Sequence, residues 1–264
     1  GLLRNFRSRG VPDVIEARAV GQGQIEIKSG LYSALMACIS LGGGGSAGRE
    51  GPAVHLGGTL ASLVSRAVGL NPRGSRILLA CGAAAAVSAS FNAPVAGALF
   101  AFEVVLGHYA LRSIAPVAVS SVIGALVVRH HLGQDQIFGF LAMHQTQAWD
   151  FPAAALLGLA AAGLAVLFNR GVLHGSSFVE NRARSLNIPL WTLPIPGGLL
   201  IGLIAVIAPE ILGVGYEPTS NALATRYVFG ELIMLLVLKR GGGDLGAHQP
   251  LRILSIETGE ARPP

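Results

Sequence analysis

An arginine and a glutamate stand side by side at positions 49 and 50, between two stretches, 29–48 and 51–65, that carry no charge. Few features restrict a fold more. Uncharged runs of this kind suit the interior of a bilayer, where a charged pair is costly unless protein or a water-lined cavity surrounds it. The letters around the pair, Gly42-Gly43-Gly44-Gly45-Ser46-Ala47-Gly48-Arg49-Glu50-Gly51-Pro52, are rich in glycine and close on Gly-Pro. They predict an opened backbone that meets the first turn of a helix inside the membrane, at a point that handles an anion.

Composition agrees with that setting. Charged residues are 12% of the chain and hydrophobic ones 52%, where a soluble domain carries about 25% charged residues. The 36 glycines sit within Leu/Ala/Val runs, where small residues allow helices to approach closely in lipid. Runs 29–48, 77–102, 151–169 and 185–209 reach membrane-spanning length, while 51–65 is short. Short and broken segments are what transporter folds use to place irregular backbone at mid-membrane. The long charge-free runs argue against a soluble α/β domain with buried strands. The expected fold class is an all-α polytopic membrane protein, a multi-pass integral protein of a bacterial inner membrane or equivalent plasma membrane. The net charge of +5 is spread over short loops, which fits membrane lipid or an anionic solute. It does not fit nucleic acid, since no basic cluster carries interleaved aromatics. Cys38 and Cys81 lie in apolar runs and read as buried small hydrophobes.

Glycine and proline mark the elements. Gly10-Val11-Pro12-Asp13 has the composition of a helix start, with the helix running to about Val20 and broken at Gly21-Gln22-Gly23-Gln24. Helices follow over 30–41 and from Glu50–Pro52 through Ser65, with Asn71-Pro72-Arg73-Gly74 as a turn. Asn92-Ala93-Pro94 interrupts the next run, because proline removes a donor and pushes the residue before it out of helical geometry. Two helices are expected there, 76–89 and 94–106, antiparallel or steeply kinked. Beyond them lie a span over 113–128, a polar extramembrane loop over 133–150, a span over 151–168 and a basic connector through Arg184. Residues 188–209 hold three prolines around Gly197-Gly198 and read as broken or re-entrant; 213–216 is a turn and 221–238 the last apolar helix. Residues 1–240 thus form the membrane domain, and 241–264 a polar tail that is disordered or foreign to the fold;. The chain opens on Gly1, as though partway through a protein.

Glu50 is the residue with the most specific chemistry. It starts a helix whose first amides favour negative charge. When ionised it can occupy that spot itself, and when protonated it can yield the spot to a solute anion, which makes a gate with built-in pH dependence. A carboxylate that only caps the helix, or pairs with Arg49, is the plainer alternative. Arg49 is expected to face carbonyls or a wet vestibule. Phe91-Asn92-Ala93-Pro94 either holds a helix end near the pore or is an ordinary proline turn. Glu103, late on an apolar helix, is structural if it accepts hydroxyl or backbone hydrogen bonds, and a proton relay otherwise. His55 follows Glu50 by five residues and faces elsewhere on the helix. His130, His131 and His144 lack metal-ligand spacing, and neither a hydrolase elbow nor a phosphate loop is present. No metal or cofactor is expected.

These motifs resemble the CLC family of chloride channels and proton-coupled anion exchangers. Gly48-Arg49-Glu50-Gly51-Pro52 is similar to the family's G-(K/R)-E-G-P motif. Ala83–Ala86 leading to Phe91-Asn92-Ala93-Pro94-Val95-Ala96-Gly97, then Phe100-Ala101-Phe102-Glu103, is similar to the segment after it, and Gly10-Val11-Pro12-Asp13 to the end of G-S-G-I-P-E. The resemblance runs from about residue 8 to about 238. It implies a CLC-type fold with broken and re-entrant helices, incomplete here, and a homodimer with a pore in each subunit. It implies chloride as the transported ligand, Glu50 as the external gate, and an anion site built from Arg9, Gly10, Val11, Gly48, Arg49, Gly51 and Pro52. Phe91, Asn92, Pro94 and Glu103 would be structural residues near the pore. Arg9 falls where the family's central serine stands, which bears on which anion is selected. Val104 stands where exchangers carry a second, proton-handling glutamate, as it does in channels. The expected function is therefore a voltage-gated-type chloride channel conducting passively, with an anion/proton antiporter as the alternative and a non-conducting remnant as the third reading. A second glycine motif, G-x-F-x-P, is expected after Lys239 and does not follow it, so the sequence reads as a partial gene product, truncated at the start and truncated or frame-changed at the end.

Overall fold

A computed structural model of the chain describes residues 9–45, 48–133, 147–186, 194–224 and 230–236, together with Thr192, Tyr227 and Leu238. The described residues are mostly helical, with no strand among them. They fall into two compact units, Gly1–Gly43 with Gly48–Ile137, and Gly44–Ala47 with Phe138–Pro264.

The first unit contains α1 (Val11–Ala19), α2 (Ile27–Gly42), α3 (Glu50–Val68), α4 (Pro72–Phe91), α5 (Pro94–Phe100) and α6 (Leu111–Leu132). A wide π-helical turn, Ala101–Leu106, continues α5. Helix α4 is the centre: α3, α5, α6 and the π turn all pack on it. Small residues make this possible. A Cβ on Gly57 would strike the Gly82 carbonyl, and one on Gly82 the Gly57 carbonyl, so the backbones of α3 and α4 touch. Serines then bind the layers. Ser88 Oγ donates to Ser121 O at 2.6 Å, Ser121 Oγ to Pro94 O at 2.6 Å, and Ser120 Oγ to Cys81 O at 2.8 Å. Such interhelical bonds in lipid are worth on average about 0.6 kcal/mol each.

The helix starts expected at Gly10–Pro12 and Glu50–Pro52 and the break at Asn92-Ala93-Pro94 are where the chain places them. The turn expected at Asn71–Gly74 is instead a cap. Asn71 Oδ1 accepts from Gly74 N at 2.8 Å, and α4 begins at Pro72, because a proline in the first turn forfeits no helical hydrogen bond. Helix α6 outgrows 113–128 at both ends and carries Pro116 inside it. The expectation of two buried cysteines holds for Cys81 and fails for Cys38, which is exposed. Helix α2 is apolar over most of its circumference and buries Gly30 and Ser33, so an apolar letter there does not tell which face is inward.

The second unit contains α7 (Asp150–Ser185), α8 (Pro194–Ile207), a 3-10 turn (Pro209–Ile211) and α9 (Tyr216–Leu223). Ile201, Ala208 and Ile211 form its small core. Helix α7 absorbs the connector expected after residue 168. No proline lies between Pro152 and Ser185, and the polar letters there mark an exit from lipid without ending the helix. At about 1.5 Å per residue, the 36 residues of α7 exceed a hydrocarbon core of about 30 Å. The last expected helix, 221–238, is divided: α9 starts earlier, at Tyr216, and ends at Leu223, and 230–236 is helical separately. Gly213 and Gly215, with φ of 67° and 93°, form the expected turn before it. The loop segment 134–146, the stretch 187–191 and the tail 241–264 lie outside the described residues.

Among the described residues, three helices are long and apolar enough to cross a bilayer, Pro72–Phe91, Leu111–Leu132 and Asp150–Val179. Ile27–Gly42, Pro94–Leu106 and Ile195–Ile207 are apolar and shorter, as segments that stop within a membrane protein are.

Candidate anion site

Helices α1 and α3 begin against each other. Gly10 precedes α1 in an extended conformation, and its amide donates to the Asp13 carboxylate at 2.9 Å. A Cβ built on Gly10 would stand 3.8 Å from Gly51 Cα, and one built on Gly51 the same distance from Gly10 Cα. Bare backbone thus meets bare backbone at two helix N-termini. Each N-terminus carries roughly half an elementary charge of positive potential, so the pair makes a region favourable to negative charge.

Glu50 is the first residue of α3. Its carboxylate folds back over the preceding backbone: a Cβ on Gly48 would meet Glu50 Oε2 at 2.8 Å. Any side chain at 48 would displace it. Pro52 fills the third helical position, where its lack of an N–H costs nothing, and Ala53 N bonds back to Arg49 O at 3.1 Å. Arg49 Nη2 donates to Ser90 O at 3.1 Å, in the last turn of α4. That bond sets the end of α4, and with it Phe91 and Asn92, beside the start of α3. Arg9, just before α1, is held to α2 through Ser33, whose hydroxyl lies 3.3 Å from Arg9 N and donates to Arg9 O at 3.4 Å. Val11 opens α1 half-buried.

The break after α4 is built on Asn92, which caps the helix in the left-handed region at φ 52°. Arg129 Nε, from the end of α6, donates to Asn92 Oδ1 at 2.6 Å, and Pro94 opens α5. Glu103 lies in the π turn and accepts the Tyr109 hydroxyl at 2.9 Å. That hydrogen bond, with desolvation and the carboxylate charge behind it, raises the Tyr109 pKa above the ordinary phenol value. Ser33, Ser90, Tyr109 and Arg129 were beyond sequence reasoning. Each acts through a partner chosen by packing, and only Tyr109, six residues after Glu103, left a local trace.

Comparison with known proteins bears on the family and the fold. The sequence profile of the family described as "Voltage gated chloride channel" matches residues 1–240. A putative chloride channel protein ClcB-like from Ralstonia nicotianae is 31% identical over 243 residues, which are 90% of this chain and 56% of that protein. Chloride channel protein CLC-e from Arabidopsis thaliana is 32% identical over 213 residues, 76% of this chain and 30% of that one. The voltage-gated ClC-type chloride channel ClcB of Salmonella typhi is 27% identical over 268 residues, 97% of this chain and 62% of that one. The chain thus spans between about a third and two thirds of the length of these relatives. Among solved structures, a CLC-type fluoride/proton antiporter aligns with a TM-score of 0.71 at 23% identity, over 90% of this chain and 60% of that one. A slow cyanobacterial Cl−/H+ antiporter aligns with a TM-score of 0.75 at 21% identity, over 96% and 62%. At these identities the structures speak for the fold. A broken-helix, multi-pass membrane architecture, the G-R-E-G-P helix start and a profile match over all of the described residues lead to one conclusion: the chain belongs to the voltage-gated chloride channel (CLC) family.

Proposed function

We propose that the starts of α1 and α3 form one wall of an anion path gated by Glu50, and that a complete family member carrying this segment is a chloride channel conducting passively. The observation that carries the reading is the Glu50 carboxylate lying over Gly48 beside the Gly10–Gly51 contact. Ionised, it competes with a solute anion for a backbone-lined, positively polarised spot. Protonated, it loses that competition and the path opens. Arg9 stands at the same entrance and bears on which anion passes. Val104, an apolar residue beside Glu103, favours a channel, as do the names of the sequence relatives. The two structural neighbours are antiporters by name, which favours anion/proton antiport as the second reading. By the same family likeness the assembly is a homodimer in the membrane with one pore per subunit.

The test is chloride efflux from liposomes with and without an imposed pH gradient. A channel gives a reversal potential that tracks the anion gradient alone, and an antiporter one that moves with the proton gradient. Glu50→Gln mimics the protonated gate, and flux then loses much of its external pH dependence. Persistence of the parent's pH dependence in E50Q would sink the gate assignment. No flux from either protein would favour a non-conducting remnant.

A further inference from the structure

The far end of α1 is tied down by a hydrogen-bonded latch that takes no part in the gate. The α1–α2 loop, residues 20–26, lies against the end of α3 and the start of α4. Gln24 Nε2 donates to Ser65 Oγ at 3.2 Å and to Ser75 Oγ at 3.3 Å, and the two serine hydroxyls meet at 2.6 Å. Ser75 Oγ donates in turn to Asn71 O at 3.0 Å. Arg66 Nε donates to Gln24 Oε1 at 2.7 Å, and its Nη2 to Ile25 O at 2.6 Å. Ile25 N donates to Ser62 Oγ at 3.0 Å. Arg66, which can only donate, fixes the carboxamide oxygen and so turns both Gln24 N–H groups to the serines.

The loop is held in a conformation it would not keep alone. Gln22 stands at φ 55°, in the left-handed region that disfavours a residue with a Cβ. Such strain persists only where the surroundings over-determine it. Gly23, at φ 81°, is pressed on α4 so closely that a Cβ would stand 2.6 Å from Arg76 N.

Geometry gives this latch leverage. Helices α1 and α3 run parallel: Gly10 meets Gly51 at their starts, and the loop after α1 meets Ser62, Ser65 and Arg66 toward the end of α3. Between the two ends, Val14 and Ile25 close on Gly58, where a Cβ would lie 3.5 Å from Val14 Cγ2 and 3.1 Å from Ile25 Cδ1. At about 1.5 Å per residue, Gly10 stands about 6 Å from Val14 along α1, and Ala19 about 8 Å from it on the other side. The arms are similar, so a displacement at the loop reaches Gly10 little diminished. Parallel dipoles side by side repel, and the alignment needs a restraint of this kind.

We propose that Arg66, acting through Gln24 and Ile25, is a positioning residue for the Gly10–Gly51 contact, and through it for the anion site a helix length away. With the latch made, α1 cannot pivot on Gly58 and its first turn stays against that of α3. Its effect on anions rests on the anion-path reading; the latch and the contact do not.

Solid-state NMR of the 13C,15N-labelled chain in lipid reads the contact directly. The expected result is a Gly10–Gly51 Cα cross-peak, assigned through Val11 and Pro52, that weakens in Arg66→Met and in Gln24→Leu. Arg66→Lys keeps the charge without the two-pronged reach, and its cross-peak is intermediate. Ser113→Ala, which removes a buried serine bond to Ala110 O at 2.7 Å from the start of α6, controls for destabilisation alone and leaves the cross-peak unchanged. A cross-peak of parent intensity in both R66M and Q24L, or one equally weak in S113A, overturns the proposal. The transport arm measures the chloride-to-nitrate flux ratio in liposomes. R66M and Q24L each shift it by about twofold to tenfold, the range over which residues remote from a ligand act on its site, and S113A leaves it alone. The double variant shifts it no further than the larger single one, because both act through one latch; multiplied shifts overturn the shared route. A weakened cross-peak with an unmoved flux ratio keeps the positioning of the contact and removes the anion-path reading.

Discussion

Gly124→Ala probes the α4–α6 contact with the smallest possible side chain. A Cβ at 124 would lie 2.6 Å from Ala85 O, 2.9 Å from Ala85 Cα and 3.1 Å from Ala85 C. All three are backbone atoms, which cannot rotate away. To bring the shortest distance from 2.6 Å to the 3.4 Å where ordinary van der Waals contact begins, the helices must part by about 0.8 Å. That movement also stretches Ser88 Oγ–Ser121 O and Ser120 Oγ–Cys81 O, which start at 2.6 and 2.8 Å. Overpacking of this kind costs about 1–3 kcal/mol, and rigid backbone on the far side argues for the upper half of that range. Alanine's better helix propensity returns at most about 1 kcal/mol. The net expectation is a loss of about 1–2 kcal/mol, or about 2–8 °C in unfolding midpoint for a chain of this size. Gly158→Ala in α7, where a Cβ meets nothing within 4 Å, is the control and is neutral or slightly stabilising. The assay is thermal denaturation in detergent, read as the fraction remaining monodisperse after heating. G124A at or above the parent's midpoint would refute the close α4–α6 crossing.

Three further outcomes follow from single contacts. Ser121→Ala leaves the Pro94 carbonyl without the hydroxyl that reaches it at 2.6 Å, and lowers stability by about 0.6–1.7 kcal/mol in the same thermal assay. Asn92 sits at φ 52°, so Asn92→Gly keeps the turn and loses the Arg129 bond, whereas Asn92→Ala adds a left-handed penalty of about 1 kcal/mol; equal midpoints for the two would count against the left-handed cap. The raised Tyr109 pKa comes first from its bond to Glu103. In a tyrosine absorbance titration with Tyr109→Phe as reference, Glu103→Gln should bring phenolate formation at Tyr109 to lower pH. The sign follows from linkage: the fold favours the protonated phenol, so this contribution is present below the unfolded pKa and is lost as pH rises through the folded one.

The helix starts at Gly10 and Glu50 and the break at Pro94 were legible because glycine and proline act on their own backbone. Nothing distant is needed to know that Pro94 cannot continue α4, or that Pro52 can sit in a first turn. The missed features all depend on a partner. Cys38 looks like any core residue until the face of α2 that meets α3 is known. Asn71 reads as a turn until its side chain is seen on Gly74 N. The polar letters after residue 168 suggested a connector, yet polarity reports the surroundings of a helix and says little about its end. The candidate site reads in the same uneven way. Gly48 and Glu50 stand out through their own letters, while Ser33 and Ser90 enter only through the residues they bond.

Glycine does two different jobs in the first unit, and the second depends on the first. Where Gly57 meets Gly82, and Gly124 meets Ala85, missing side chains let helices touch along their length, which makes α3, α4 and α6 a stiff block. Where Gly10 meets Gly51, missing side chains let two helix ends touch, which concentrates positive potential. Two like-polarised ends repel, so that contact needs an external frame. Ser33 on α2 holds the segment leading into α1, and Arg49 ties the start of α3 to the last turn of α4. The frame is therefore supplied by α2 and α4, neither of which begins at the site. Loosening the α3–α4 crossing should weaken the site even with every site residue intact, because the potential at the Gly10–Gly51 contact falls as the two ends separate.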